Sequence, residues 1–302
     1  MDGVYSLWSR PRADQRPGMT QLERLLFAVS VVKWRALNGR AFLFCDSPYA
    51  RYLESFGMAE LFDIVDTKSM EAVNKLDINP STFWSLGRLA ALATVAVPFV
   101  SLDCDLVVWE RITNALAPGS IAFAHWESTA TSAWYPPPCE LRTPSGYRWG
   151  AWGKDNLNAA NVSLLYFGNE RARDSYVSEA LRFTIGNPAQ PRLDIGVAPE
   201  LLYAEQRLLP LIARRSGITA APIIDAIWEP DLDRFSSHDP RFGEWDPLRV
   251  LHQAAGITHG WFHKTLLPTE DPRRIQLVDD LTEILKPSHP DLLMRITGSN
   301  PC

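Results

Sequence analysis

The sequence predicts an α/β fold, a mixed and mostly parallel sheet flanked by helices. Three observations carry that reading. Residues 4 to 65 alternate strand-length apolar runs with helix-length ones, the pattern of strands joined by helical crossovers. Further on, the apolar run Phe99–Leu102 leads straight into Asp103 and Asp105. In such sheets ligands gather at the carboxyl ends of strands, where this pair would sit. Finally, 302 residues with 46% apolar side chains suffice to bury a sizeable core.

In chain order, Val4–Trp8 reads as a first strand emerging into the loop Ser9-Arg10-Pro11. Residues 20–37 carry apolar side chains at helical spacing, with Thr20 as N-cap and Gly39 as stop. Ala41–Cys45 is a second strand that delivers Asp46 at its end. A short helix over Pro48–Phe56 and a third strand over Phe62–Val65 follow. Ser81–Val95 reads as a helix capped by Ser81, and Trp109–Leu116 as another stopped by Pro118-Gly119. Ile121–His125 is a strand, followed by Trp126 and Glu127. Residues 128–160 are rich in Pro, Gly and Trp without periodicity, so they form a long loop over the site. Asn161–Phe167 is a strand and Asp174–Phe183 a helix. Pro199–Arg215 is a helix that Pro210 kinks or interrupts. Ile223–Ile227 and Ile257–Lys264 are late strand candidates, with a polar loop over residues 229–247 between them. Ile275–Leu285 closes as a helix, and the tail from Pro287 lies on the surface.

Composition narrows the function. The net charge is −5 and no basic patch recurs, which argues against nucleic acid as a partner. Cys45, Cys104, Cys139 and Cys302 show no C-x-x-C spacing, so free thiols in a reducing cytoplasmic setting are expected. No signal peptide is visible, and the apolar stretch Leu86–Leu102 is too short and too interrupted to be a transmembrane segment.

The doubled aspartate is the chemical signal. Residues i and i+2 of a strand point to one side, so two carboxylates there repel unless protons or a cation neutralise them. A divalent metal with oxygen ligands would answer that repulsion, whereas a bare D-x-D is more often a solvated strand end or a helix cap.

Taken together and in order, several short motifs resemble GT-A glycosyltransferases with a DxD sugar-nucleotide motif, and among them bacterial DxD proteins related to capsular-polysaccharide sugar transferases. The motifs are Ser6-Leu7-Trp8, Asp46, Trp84-Ser85 with Gly87-Arg88, Asp103-x-Asp105, Asn161, Glu205-Gln206 and the segment from His259 to Lys264. They span nearly the whole chain. Two departures mark the acceptor side: Asn161 opens NVSLLYFGN instead of a Gly-rich run, and Gly260 stands next to His259 instead of between the histidine and the lysine.

The resemblance implies one GT-A-like (Rossmann-like) domain over residues 1–302. Residues 1–110 would form the nucleotide-binding half, 111–270 the half that completes the acceptor and metal sites, and 271–302 a C-terminal helix and tail. It implies a glycosyltransferase, hexosyl or related and retaining, that uses Mn²⁺ or Mg²⁺ and a nucleotide-diphosphate sugar donor. The acceptor (a glycan, lipid or protein) is left open. Asp103 and Asp105 would anchor the metal, with His259 as third ligand and His263 as its alternative. Lys264 and Arg88 would meet phosphate oxygens or the donor sugar. Trp8 and Asp46 would hold the nucleoside, while Asp103, Asn161 and Gln206 would contact the donor. Glu205 or Glu127 would be the base of an inverting reaction.

Singly, each residue has a plainer reading. The histidines are packed imidazoles, Arg88 snorkels from its helix, Glu205 and Glu127 are solvated charges, and Trp134, Trp149 and Trp152 pin a loop. Two rival functions remain. DCDLV also fits a haloacid-dehalogenase-type phosphatase with Asp103 as nucleophile and Asp279-Asp280 as its later acidic pair. The other rival is a non-catalytic protein that binds a sugar nucleotide.

Overall fold

The computed structural model describes residues 1–12, 14, 16–130, 133–150, 157–232, 234–237 and 256–298. Trp152, Cys302 and most of the 229–247 loop lie outside the described residues. The elements in order begin with β1 (Asp2–Leu7), α1 (Gln21–Leu37), β2 (Ala41–Cys45), α2 (Ser47–Ser55), β3 (Ile64–Asp66) and α3 (Lys68–Val73). Next come α4 (Gly87–Thr94), β4 (Phe99–Leu102), β5 (Leu106–Val108), β6 (Ile121–Phe123), β7 (Trp126–Glu127), β8 (Ala159–Ala160), β9 (Leu164–Phe167) and α5 (Glu170–Thr184). The chain continues through α6 (Pro199–Leu202), a π turn (Tyr203–Arg207), α7 (Leu208–Ser216), β10 (Ala220–Pro222), β11 (Ala226–Glu229) and β12 (Arg234–Ser237). It then adds β13 (Ile257–His259), α8 (Trp261–Leu266), α9 (Pro272–Leu285) and α10 (Pro290–Thr297).

Seven strands form the main sheet in the order β10-β6-β9-β4-β1-β2-β3. All pairs are parallel except those of β9, which runs antiparallel to both β4 and β6. The fold is therefore mixed α/β with a mostly parallel sheet flanked by helices. AFLFC of β2 and FVSL of β4 are buried along their whole length, as expected for strands covered on both faces. One face carries α1, α9 and α10, with Leu25, Leu26, Leu281 and Ile296 buried among the strands. The other carries α4, α5 and the helix from Pro199, with Leu92, Tyr176 and Leu208 buried. The described residues form two smaller sheets as well: a four-stranded one, β12-β11-β7-β8, and the ribbon β13-β5.

Several expectations are corrected. The stretch from Ser81 is not one helix: a 3₁₀ turn at Trp84–Leu86 precedes α4, and Ser81 caps neither. Trp109–Leu116 forms only a 3₁₀ turn at Thr113–Ala115, because Val108 and Trp109 are drawn into the pairing with residues 256 and 257. The strand expected from Asn161 starts at Leu164, since Asn161 spends its side chain on the Ser163 amide and hydroxyl. Of the strand expected over Ile223–Ile227, only Ala226 and Ile227 are in a strand, β11, and β10 ends ahead of it at Pro222. Lys264 sits on α8, a helix where a strand and loop were expected.

Pro210 does not interrupt its helix. The chain runs from Pro199 to Ser216 with the widened π turn just ahead of the proline. In that register the Leu208 amide donates to the Tyr203 carbonyl. The amide that would reach the Glu205 carbonyl in the same register belongs to Pro210, which has none. The Tyr176 hydroxyl donates to that carbonyl instead, at 2.8 Å. The tail from Pro287 is not loose surface either. It forms α10, whose Leu292 and Ile296 are buried in the cluster around α1, and the Ile296 carbonyl accepts a hydrogen bond from Arg24.

Candidate active site

A cavity of about 880 Å³ opens at the carboxyl ends of β1 and β4. Trp8, Arg88, Asp103, Asp105, Glu127, Asn161, Glu205, Gln206, His259 and Lys264 all line it.

The acidic pair is held by backbone geometry. As β4 ends, the Asp103 amide donates to the Ser163 carbonyl at 2.7 Å and the chain turns back into β5. β5 lies on α1, where the Ser30 hydroxyl donates to the Leu106 carbonyl at 2.5 Å. It pairs antiparallel with β13, which sets His259 opposite Leu106. The Gly260 amide then donates to the Asp105 carbonyl at 2.7 Å. This close approach needs glycine: a Cβ at residue 260 would stand 2.5 Å from Leu26 Cδ1 and 3.1 Å from the Asp105 carbonyl oxygen.

Around Asp105 the groups converge. His259 Nε2 is 3.6 Å from its Oδ1, and Lys264 Nζ, one turn into α8, is 2.7 Å from its Oδ2. Burial alone would raise the Asp105 carboxyl; the Lys264 ammonium and His259 reverse that and hold it well below the usual carboxylate range. Lys264 is displaced upward: burial opposes its charge, and Asp105 outweighs burial. One ligand atom each from Asp103, Asp105 and His259 lie within 4.8 Å of one another. Two carboxylates and an imidazole at that spacing fit a divalent cation, and the nitrogen donor suits Mn²⁺ better than Mg²⁺.

Arg88, on the first turn of α4, ties this pair to the far wall. Its guanidinium forms an ion pair with Asp103 Oδ1, reaches Glu205 Oε1 at 3.2 Å and donates to the Val162 carbonyl at 2.8 Å. Adjacent residues on the π turn, Glu205 and Gln206, both face the cavity. Glu205 meets Arg88 and Gln206 meets Tyr135.

Glu127 lies across the cavity, 5% exposed at the end of β7. Its Oε1 accepts from the Asn161 amide at 2.6 Å, and its Oε2 accepts from the Tyr135 hydroxyl. Burial raises the Glu127 carboxyl, against the lowering effect of those two donors. The Tyr135 hydroxyl also meets the Gln206 side chain. A phenol has one proton to give, so Glu127 Oε2 and Gln206 Oε1 share the Tyr135 hydroxyl as their common donor. Arg207 fixes the segment by donating to the Pro136 carbonyl at 2.5 Å. Nothing in the aperiodic run WYPPPCE singles out Tyr135. The signal available was that a buried tyrosine hydroxyl needs a polar partner.

Not every expected residue reaches the cavity. Asp46 does not line it. Asp46 caps α2 through the Tyr49 amide at 3.1 Å and accepts both the amide and the hydroxyl of Ser9, at 2.8 and 2.6 Å. It shapes the loop after β1 from behind. His263 is fully buried on α8 and outside the Asp103–Asp105–His259 cluster. Trp8 is 7% exposed, and its indole donates to Asn74 Oδ1 at 2.7 Å, so it packs the floor beside Gly87. Trp134 lines the cavity, whereas Trp149 packs edge-on against Tyr147 and Tyr203. Asp279 and Asp280 lie on α9 and line no part of the cavity.

No family model and no curated protein sequence matches the chain. Among solved structures it is similar to galactosyltransferase LgtC in complex with donor and acceptor sugar analogs, at 12% identity over 73% of each chain with a TM-score of 0.37. It is also similar to an active-site mutant of LgtC, at 11% identity over 93% of this chain and 96% of that one, with a TM-score of 0.43. Mouse xyloside xylosyltransferase 1 in its apo form matches at 12% identity over 69% of this chain and 84% of its own, with a TM-score of 0.37. Scores this low carry no weight for activity.

Proposed function

We propose that the protein is a metal-dependent glycosyltransferase that moves a sugar from a nucleotide-diphosphate donor to an acceptor hydroxyl. The observation that carries this reading is the Asp103–Asp105–His259 cluster facing, with Arg88 and Lys264, into one cavity at the carboxyl edge of the sheet. A divalent cation bound there supplies Lewis-acid stabilisation of the departing diphosphate. Arg88 forks toward paired oxygens from a fixed position, and Lys264 adds a point charge on a flexible stem. Transfer breaks the bond between the anomeric carbon and the diphosphate oxygen and forms one to the acceptor oxygen, whose proton must leave.

Glu205 is committed to Arg88, and burial raises the proton affinity of Glu127. Glu127 therefore takes the acceptor-side role, held by Asn161 and Tyr135. Hexosyl transfer with retention rests on the motif resemblance alone. A phosphatase nucleophile at Asp103 fits less well, because its later acidic pair, Asp279 and Asp280, lies on α9 and lines no part of the cavity.

The test is a screen of nucleotide-diphosphate sugars with Mn²⁺, read by thermal shift and by donor hydrolysis. One donor should stabilise the protein and be hydrolysed. Chelation with EDTA should stop hydrolysis, and added Mn²⁺ should restore it. Asp105→Asn should lower turnover on the order of 100-fold or more. Full activity in that variant, or after complete chelation, rejects the metal role. Cleavage of an aryl phosphate with no donor hydrolysis would favour the phosphatase.

A further inference from the structure

Both aspartates of the pair are already neutralised by the chain itself, Asp103 by Arg88 and Asp105 by Lys264 at 2.7 Å. We propose that Lys264 is an internal counter-ion that occupies Asp105 in the place of the divalent cation, so that metal and diphosphate bind as a linked pair. This rests on the metal-site reading above.

The two basic groups differ in freedom. Arg88 is anchored three ways, to Asp103, Glu205 and the Val162 carbonyl. Among the described residues Lys264 has two ion-pair partners, Asp105 at 2.7 Å and Glu23 at 3.9 Å, and its side chain is 28% exposed. Its backbone is fixed, because the Lys264 amide donates to the Gly260 carbonyl and the Gly260 amide to Asp105. Only the four-carbon stem can swing.

A divalent cation entering alone meets an ammonium already seated on Asp105 in a poorly solvated pocket, where like charges repel strongly. It must displace Lys264 from its 2.7 Å contact and leave that charge with only the longer, 3.9 Å pairing to the partly exposed Glu23. A diphosphate entering with the metal supplies the anion that receives the ammonium. Each ligand then removes the obstacle to the other, and linkage makes the effect reciprocal.

The experiment measures Mn²⁺ binding by electron paramagnetic resonance of the free ion, with and without uridine diphosphate as probe. In the wild type, Mn²⁺ alone should bind weakly, and the probe should tighten it at least tenfold, about 1.4 kcal/mol. Lys264→Met should bind Mn²⁺ alone at least tenfold more tightly than wild type and lose most of the linkage. Lys264→Gln keeps a donor for Asp105 without the charge and should behave the same way if the methionine variant fails to fold. Equal or weaker Mn²⁺ binding in whichever variant folds overturns the proposal, as does wild-type binding that the probe leaves unchanged. Asp105→Asn separates this failure from failure of the metal site. If Mn²⁺ binding survives Asp105→Asn in both backgrounds, the metal is elsewhere and both ideas fall; if Asp105→Asn abolishes binding while Lys264→Met leaves it unchanged, only the counter-ion falls.

Discussion

Glu127 shows how much a single buried carboxylate depends on its donors. Asn161 and Tyr135 each supply one hydrogen bond to it. Tyr135→Phe removes one while leaving the ring's packing, so a buried oxygen loses its partner and Glu127 is pushed further upward. The pH profile of turnover should then shift its acidic limb to higher pH, and an unshifted limb would exclude Glu127 as the titrating group. His125 gives a prediction on stability. It is 3% exposed, and burial pushes its imidazole down to about 3, although its ring nitrogen meets the Trp126 carbonyl at 3.0 Å. The folded state thus keeps His125 neutral, while the unfolded chain takes up the proton near pH ~6.5. The stability that His125 contributes is intact above that pH and is lost as the pH falls toward the folded value. Urea titrations at pH 7 and pH 5 should show a loss of about 2 kcal/mol that His125→Asn lacks. An equal loss in both proteins would assign it to other groups.

At the scale of elements, the β5–β13 ribbon places the metal-site residues. A methyl at residue 260 would press on Leu26 and on the Asp105 backbone, so Gly260→Ala should cost about 1–3 kcal/mol of stability and weaken Mn²⁺ binding in the presence of nucleotide. Adding Leu26→Ala should recover the metal affinity though not the stability; if it does not, the clash is not what disturbs Asp105. The ribbon is also where sequence reading fell short. Each of its strands has three residues, too few for a period-2 pattern, and the pairing joins positions 106 and 259. Asp105, His259 and Lys264 were visible as chemistry, but their convergence depends on a pairing that no local pattern encodes. The Pro199–Ser216 helix was legible at both ends, from Pro199 and Gly217. The π turn was not, because proline marks only a missing amide, and the Tyr176 hydroxyl that compensates comes from another helix.

For the whole molecule, the sheet was legible where helices separate strands, from β1 to β3, since each crossover there carries its own apolar period. Beyond β4 the connections are long and aperiodic, and the reversed strand β9 looks like any other apolar run. Of the C-terminal helices α9 was expected, and α10 was missed for a different reason: an amphipathic eight-residue helix is unconvincing until a partner for its apolar side is known. Removing residues from Pro290 onward takes Leu292 and Ile296 out of the core around α1, which should cost about 3–6 kcal/mol. A thermal midpoint unchanged by that truncation would show that α10 is not part of the stable body. The ribbon has a consequence for how the site comes into being. Its two strands are brought together across about half of the chain, a non-local closure of the kind that forms slowly. During synthesis the doubled aspartate emerges long before His259 and Lys264. Until they arrive Asp105 is an ordinary solvated carboxylate, with neither counter-ion nor third ligand. The same dependence holds in the finished protein: whatever opens the ribbon without unfolding the sheet disarms the site, and hydrogen exchange at Trp109 and Gly260, whose amides close it, would report that opening directly.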